Sequence, residues 1–483
     1  MRDCVEGEIA IKGKGETYLP KLPKQNLISY NAYKDRPKFF DGTSRTAEGL
    51  HGHVFSKDPV QNGEISEAFK ELLKNVDASG TAIDQFASNI TWDAEQTAWG
   101  GILVDHTPVP EGTSKAEANS RAYLKWYAAE SVIRWKHSAV NGINKLVLVV
   151  LREDQEAQNP SDEFDTVVTE AYRVLSFNAG GEYIQRIFVK DDKAESGFTV
   201  GEPILVKIDG KALDVIPFFT CPGETPEKSM LLGMAFENIG HYQKSADYEN
   251  GLHYTGVPSP VAVNMEAPKT VKGEAIEVTL GAGEFQFFYG GPGQNVDVKY
   301  LEFTGVGLGQ LRYALNDSLD RMAKLGIQAI GAEKKGVETA EVAQIHRASE
   351  NGVLGAFARS MSDKITQAVR LMAKWNNIKE AEADGWSYEL NNDFDHKDIS
   401  TQILQIMHSA RMSGEIPRSV WFAFLKKHGM LNEEIKTLDD FLRELENDPP
   451  IEHGPDEPDE ADEEDQEEDD DDGQDEKNKG KVK

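Results

Sequence analysis

The sequence predicts an α+β protein, and three observations carry that reading. Before about Thr225, short β-rich runs and helical stretches share one region. After it, apolar residues recur every three or four positions over long spans, as in amphipathic helices. Between two of those spans lies a segment of short strand patterns punctuated by Pro and Gly. With 483 residues, the chain has room for two or three domains.

In the first region, Glu64–Asn75 and Ala82–Trp99 read as helices, the second from Ile83, Phe86, Ile90 and Ala94 at helical spacing. Gly100-Gly101 is expected to stop that helix, and Ile102–Val104 to be a short buried strand. Tyr123–Tyr127, Lys145–Leu151, Ala171–Phe177, Tyr183–Val189 and Asp214–Phe219 read as further strands, forming a sheet that leans antiparallel. A long helix is then predicted from Thr225, with Thr225 as cap, Pro226 in the first turn and Glu227 complementing the dipole. Leu231, Ala235, Ile239, Tyr242 and Ala246 form its apolar stripe, and Glu237, Lys244 and Glu249 its charged face.

Strands are expected at Pro260–Asn264, Ala275–Leu280, Glu284–Tyr289 and Val296–Phe303. A helix follows at Leu308–Leu325, with Leu308, Leu311, Leu315, Leu319 and Met322 on one face. The segment Gly326–Val337, with Gly326, Gly331 and Gly336 five apart, reads as a loop before another long helix at Glu338–Trp375. A strand at Ser387–Leu390 precedes three helices, Ile399–Met412, Arg418–His428 and Leu438–Glu446. Gly414 and Gly429 suit C-caps, and Thr437-Leu-Asp-Asp440 suits a capping box.

The formal charge is −31, unevenly spread. Between Glu452 and Glu476 there are 17 acidic residues; with the four lysines that follow, this tail carries −13 and leaves −18 on the residues before it. Beyond Asp448 the composition is low-complexity and predicts disorder. The acidic body disfavours tight nucleic-acid binding, which rests on Lys and Arg neutralising phosphates. Cys4 and Cys221 alone give no disulfide framework and fit a reducing compartment. No apolar run spans a membrane, and the charged stretch Arg2–Glu8 leaves no secretory h-region, so an intracellular protein is expected.

Candidate chemistry is sparse. Gly305-Val-Gly307-Leu-Gly309 opens a helix after a strand, but a dinucleotide fingerprint needs its third glycine where Gln310 stands, so a glycine-rich turn is expected. No phosphate-binding P-loop occurs. His51-Gly-His53 would set two imidazoles on one face of a strand, yet lacks further ligands at zinc spacing; half-exposed histidines at a strand or turn are expected there. Asp105-His106 with Ser131 lacks a nucleophile-elbow context, and Asn392-Asp-Phe-Asp395 reads as a polar turn. Lys334 and Lys335 in the glycine loop are either a solvated connection or, if many copies converge on an axis, a ring of charge. No catalytic residue, metal or cofactor is expected.

Several stretches resemble tailed-bacteriophage portal proteins, specifically a subfamily often described only as phage proteins of unknown function. They are Gly15-Glu-Thr-Tyr-Leu-Pro20, Tyr30-x-x-Tyr33-x-x-Arg36, Arg45-Thr-Ala-Glu-Gly-Leu-His-Gly52, Gly100-Gly-Ile-Leu-Val-Asp105, Ile216-Pro-Phe218 and Ala246-Asp-Tyr-Glu-Asn-Gly-Leu-His-Tyr-Thr-Gly-Val-Pro258. Glu338-Thr-Ala340 with Arg347-Ala-x-Glu350-Asn351, and Gly414-Glu-Ile-Pro417, complete the set. The likeness runs to about Asn447, is most specific over Gly251–Pro258, and leaves out the acidic tail.

The resemblance implies a wing at 1–226, a stem at 227–256 and 307–325, and a clip at 257–306. A tunnel loop at 326–337, a return through the wing at 338–393 and a crown at 394–448 complete the implied division, while the tail at 449–483, expected to be disordered from its composition, lies outside it. It further implies a non-enzymatic ring, usually of twelve subunits, at one capsid vertex of the virion, assembled in the host cytoplasm. Its partners would be the terminase large subunit, the major capsid and scaffolding proteins, a head-completion adaptor, and double-stranded DNA passing without sequence preference; no membrane is involved. Leu231, Ala235, Ile239, Tyr242, Leu311, Leu315 and Leu319 would pack the stem of the oligomer. Gly326, Gly331, Lys334, Lys335 and Gly336 would line the channel, where twelve copies of the two lysines put about two dozen positive charges on one ring. The alternatives are another phage head or tail structural protein, or a phosphate- or sugar-processing enzyme using the Gly305–Gly309 turn. Assembly mass separates them.

Overall fold

The computed structural model describes residues 1–107, 120–140, 142–159, 161–208, 210–256, 259–266, 269, 286–289, 291, 293, 295–301, 305–330, 340–392, 394, 401–427, 430–431, 435 and 437–447. The architecture is α+β. The chain divides into one unit over Met1–Asp395 and a second over His396–Lys483.

In the first unit, four N-terminal helices, Arg2–Glu6, Glu8–Gly13, Leu27–Asp35 and Gly42–Val54, precede the helices Glu67–Leu73 and Ile83–Thr97. A small antiparallel sheet has the order Phe218–Cys221, Gly100–His106, Ala122–Ala128. A larger antiparallel sheet runs in sequence order through Val132–Val140, Ile143–Gln158, Thr166–Phe177, Tyr183–Lys190 and Phe198–Val200.

Gly100 and Gly101 do not stop the preceding helix, contrary to the sequence expectation. That helix ends at Thr97, and Ala98 takes the left-handed cap conformation, φ 58°. The two glycines begin the strand itself, beneath aromatic rings. A Cβ on Gly101 would lie 2.1 Å from Phe218 Cζ, and one on Gly100 2.2 Å from Trp126 Cζ2. Glycine is used here so that two rings can lie flat on the backbone.

The third long helix, Ala340–Trp375, sits at the centre of the main core. Met361, Ile365, Ala368, Val369 and Met372 are fully buried on it, against Phe86 and Ile90, Ile102 and Val104, and Trp386. Each large apolar side chain removed from water in this way contributes about 1.5–3 kcal/mol. Asn376 extends the junction, donating to Ala122 O (3.0 Å) and accepting from Ala122 N (2.9 Å). The strand Ser387–Glu389 then pairs antiparallel with Val60–Asn62.

Between the two sheets, Trp99, Leu103, Tyr127, Val149, Leu175 and Phe218 form a second core. At its edge the Arg173 guanidinium donates to Asp105 (3.0 Å), Glu153 (3.0 Å) and Gln185 (2.7 Å). This network absorbs Asp105. His106 instead turns its Nδ1 toward Thr107 O and Ser120, so the structure does not assemble Asp105, His106 and Ser131 into a triad.

Two helices of 25 residues, Leu232–Gly256 and Val306–Ile330, make a pair of rods, each about 37 Å long at ~1.5 Å per residue. A three-stranded sheet lies between them in sequence: Ser259–Val263 pairs parallel with Gln286–Phe288 and antiparallel with Asp297–Leu301. The strand expected at Ala275–Leu280 lies outside the described residues.

The first rod starts at Leu232, not near Thr225. The preceding segment is held instead by tertiary bonds: Ser360 donates to Pro222 O, while Ser229 donates to Glu95 O (3.2 Å) and accepts from Leu231 N (3.1 Å). The second rod runs five residues past its expected end, through Gly326 to Ile330. Gly331, Lys334, Lys335 and Gly336 lie outside the described residues.

The second unit contains helices Thr401–Met412, Arg418–Lys427 and Leu438–Asn447. Two of its three predicted signals are present, and the third, Gly429, lies outside the described residues. Gly414 has φ 77°, with Glu415 N bonded to Ala410 O (3.0 Å) and Gly414 N to Arg411 O (3.2 Å), the two bonds of a Schellman end. Thr437 Oγ1 accepts from Asp440 N (3.2 Å), and Asp440 Oδ2 accepts from Thr437 N (3.1 Å), a reciprocal capping box closed by Asp. The capping-box segment precedes Phe441, which packs against Phe422 with ring centroids 5.3 Å apart.

Candidate functional site

The paired rods bring together most of the residues that the sequence singled out. They run antiparallel: Glu237 meets Arg321, Lys244 meets Ser318, and Gly251 meets Leu308. A Cβ on Gly251 would fall 2.5 Å from Leu308 Cδ2, so glycine lets that leucine settle on the first rod. Leu308, Leu311, Leu315 and Leu319 are half-buried, and Met322 is buried.

The apolar stripe of the first rod is covered by this chain itself, which corrects its assignment to contacts between copies. Leu231 belongs to the main core. Ala235, Tyr242 and Ala246 pack with Cys4, Ile11, Leu19, Tyr30, Tyr33 and Phe39 from the N-terminal segments, and Ile239 leans on the same cluster half-buried. Helices too short to announce themselves in the sequence occupy the face that a neighbour was expected to fill.

Two residues of the charged face find partners within the chain. Glu237 and Lys244 point at the second rod, where Arg321 donates to Glu237 Oε1 (2.8 Å) and to Ser318 Oγ (3.0 Å), and Lys244 donates to Ser318 Oγ (2.6 Å). The Arg321 guanidinium holds the Glu237 carboxyl below the usual carboxylate range. Ser318 is fully buried, so this polar seam lines the contact between the rods. Nearby, burial and then Lys244 push the His241 imidazole below its ordinary value.

Three of the stretches that carry the resemblance, Gly15–Pro20, Tyr30–Arg36 and the one that begins at Ala246, meet along the first rod. Tyr33 donates to Asp247 (2.6 Å), Arg36 to Asn250 (3.1 Å), and Tyr242 to Lys34 O (3.0 Å). Gln243 donates to Tyr18 O (2.7 Å), and Tyr30 to Leu19 O (2.9 Å). Asn238, which the sequence reading passed over, is fully buried and bonds to Thr43 and Phe40. The available signal was a lone amide on an otherwise apolar stripe.

Gly326 has a packing role within the second rod. It is buried, and a Cβ there would stand 3.1 Å from Thr46 Oγ1 and 3.3 Å from Met234 Cε, so the glycine lets three helices approach. Beside exposed polar and charged side chains such as Arg312, Asp317, Asp320 and Lys324, the rods leave large apolar ones uncovered by the described residues: Phe236 is 67% exposed, Tyr313 68% and Val306 74%.

The remaining motifs fall elsewhere. His51 and His53 lie on the helix Gly42–Val54, not on a strand, and a separation of two residues turns them about 200° apart, which prevents a shared ligand. His51 bridges Glu95 Oε2 (3.1 Å) and Ser88 Oγ (3.0 Å), whereas His53 meets the Phe394 ring edge-on. At Gly305, φ is 67° and its carbonyl accepts from Leu308 N (2.9 Å) at the rod's first turn. The strand before it is antiparallel to Ser259–Val263. Dinucleotide sites instead use a parallel β-α-β unit. Among the described residues there is no group of three metal-ligating side chains, and no helix is long and apolar enough to cross a membrane.

A family model described as a domain of unknown function (DUF4055) matches residues 230–376, from the start of the first rod to the end of the third long helix. No curated protein matches the chain. The family match therefore picks out the rods and the core helix as one sequence unit, with no activity attached to it.

Proposed function

We propose that this chain is the subunit of a tailed-bacteriophage portal, a ring at one capsid vertex through which DNA is packaged and ejected. The observation that carries the reading is the antiparallel rod pair, joined through a β insert and followed by a third long helix that returns into the α+β body. That order parallels stem, clip, stem and wing of the family that the motifs resemble. Exposed Phe236, Tyr313 and Val306 support it, because large apolar side chains left on the rod surface call for cover by another surface. An acidic chain also suits a channel wall, since it repels phosphates and lets DNA slide.

In this reading the protein is a structural component and not an enzyme. The terminase, capsid and scaffolding proteins and a head-completion adaptor are its partners, and Lys334 and Lys335 touch DNA. The test is an electron-microscope image of the purified full-length protein together with its mass in solution. Rings with a central hole and about twelve subunits are expected. A monomer or dimer under conditions where the protein is folded would overturn the reading.

A further inference from the structure

The hairpin formed by Ile143–Gln158 and Thr166–Phe177 outruns the sheet to which it belongs. The neighbouring strand Val132–Val140 supports it only as far as Leu151, and Tyr183–Lys190 only from Ala171 onward. Beyond those points five rungs remain paired to each other alone, from Asp154↔Glu170 to Gln158↔Thr166. At ~3.3 Å per rung this is a two-stranded ribbon about 16 Å long, before the tip is added. Residues 154–158 and 161–168 are all exposed, so neither face of the ribbon is covered by the described chain. Such a ribbon is marginally stable on its own in water, and its outer backbone edges are unpaired.

Its side chains give the surface a character. Phe164 at the tip is 91% exposed, and Val168 and Val167 are 59% and 45% exposed. The register puts Asp154, Glu170, Glu156 and Val168 on one face, with Ala157 and Val167 on the other. At the base, Arg152 lies near Asp154 (3.2 Å) and Glu170 (3.8 Å). Farther out, Glu156, Asp162, Glu163 and Asp165 have no cationic side chain within ion-pair distance among the described residues. The distal ribbon is thus an apolar tip set in unneutralised negative charge.

We infer that this ribbon is a docking arm for a Lys/Arg-rich segment of a different protein, which covers Phe164 and Val168 and pairs with the distal carboxylates. Charge decides the occupant: a second copy of a chain carrying −31 brings a surface of the same sign, whereas a basic partner is attracted. The free strand edges add a backbone component to the binding, because an extended partner segment can join the ribbon as a third strand. The inference does not rest on the portal reading, since it uses only the ribbon's geometry and charge.

The experiment uses the full-length protein and a ten-residue peptide of alternating lysine and valine with a photo-cross-linker at its centre. Two variants are compared with the unaltered chain. Phe164→Ser keeps every charge; Glu156→Gln with Glu163→Gln removes two charges whose carboxylates make no bond in the fold. Cross-links are expected on residues 152–170, and each variant is expected to weaken binding at that site at least about tenfold. Cross-links confined to the acidic stretch 452–476, or affinity at the ribbon unchanged in both variants, would overturn the proposal. So would a change in sedimentation of either variant without peptide, which would make a second copy of this chain the occupant.

Discussion

Asn238 clamps Thr43. Its side-chain oxygen accepts both the Thr43 backbone N–H (3.1 Å) and the Thr43 hydroxyl (2.9 Å), while its amide donates to Phe40 O (2.7 Å). Both residues are fully buried, and the clamp ties the first rod to the start of the helix Gly42–Val54. Asn238→Leu keeps the number and branching of the side-chain heavy atoms but leaves the Thr43 donors without a partner. A buried donor left unsatisfied costs about 1–3 kcal/mol. The expected result is a melting temperature lower by several degrees in thermal denaturation, with Asn238→Ala at least as severe. An unchanged melting temperature would show that the clamp is not holding the rod.

Leu231 and Phe236 stand five residues apart on or beside the first rod and predict opposite mutants. Leu231 is fully buried in the main core, so Leu231→Asp puts a charge among apolar side chains and is expected to abolish soluble, folded protein. Phe236 is 67% exposed, so Phe236→Asp is expected to keep the circular-dichroism spectrum and melt within a few degrees of the original. If the rods meet neighbouring subunits as proposed, Phe236→Asp and Tyr313→Asp lose the ring in sedimentation velocity while staying folded. Intact rings in both would place the subunit contact elsewhere.

His241 predicts a stability change in a defined pH window. It is 8% exposed, its Nδ1 has no hydrogen-bond partner, and burial and Lys244 depress its pKa while Glu237 opposes them. A depressed folded-state pKa means that the unfolded chain takes the proton first. The contribution is therefore present above the ordinary histidine value of 6.5 and is lost as pH falls from there toward the folded value. Chemical denaturation of His241→Phe is expected to give a flatter stability curve between about pH 6.5 and 5 than the unaltered protein. The Glu237 carboxyl, lowered by Arg321, acts in a separate window: its contribution holds above the usual carboxylate range and fades only below it.

Gly326 predicts a packing defect where the sequence suggests a flexible loop. Valine there adds a Cβ at 3.1 Å from Thr46 Oγ1 and two methyls beyond it. Overpacking of this kind costs about 1–3 kcal/mol. Gly326→Val is expected to lower the melting temperature, whereas Gly240→Val on the first rod, where a Cβ meets nothing within 4 Å, is expected to lower it less. Equal effects would mean that helix propensity, and not the contact with Thr46 and Met234, sets the cost.

The long helices, the β insert between two of them, the Schellman end at Gly414 and the capping box at Thr437 were legible in the sequence, because each is written in residues a few positions apart. The four N-terminal helices were not. They are 5 to 13 residues long and carry apolar side chains to solvent, as Ile28 does at 84% exposure, so no single stripe marks them. The tertiary structure alone decided which surface each stripe meets. Tyr242 is buried under the chain's own N-terminal segments, Glu237 and Lys244 face the second rod, Gly101 lies under Phe218, and His51 reaches Glu95. The physical reason is one of range. Helical period and capping depend on neighbours within a turn or two, whereas burial is settled by residues often a hundred or more positions away, and a stripe of apolar side chains specifies that it will be covered without specifying by what.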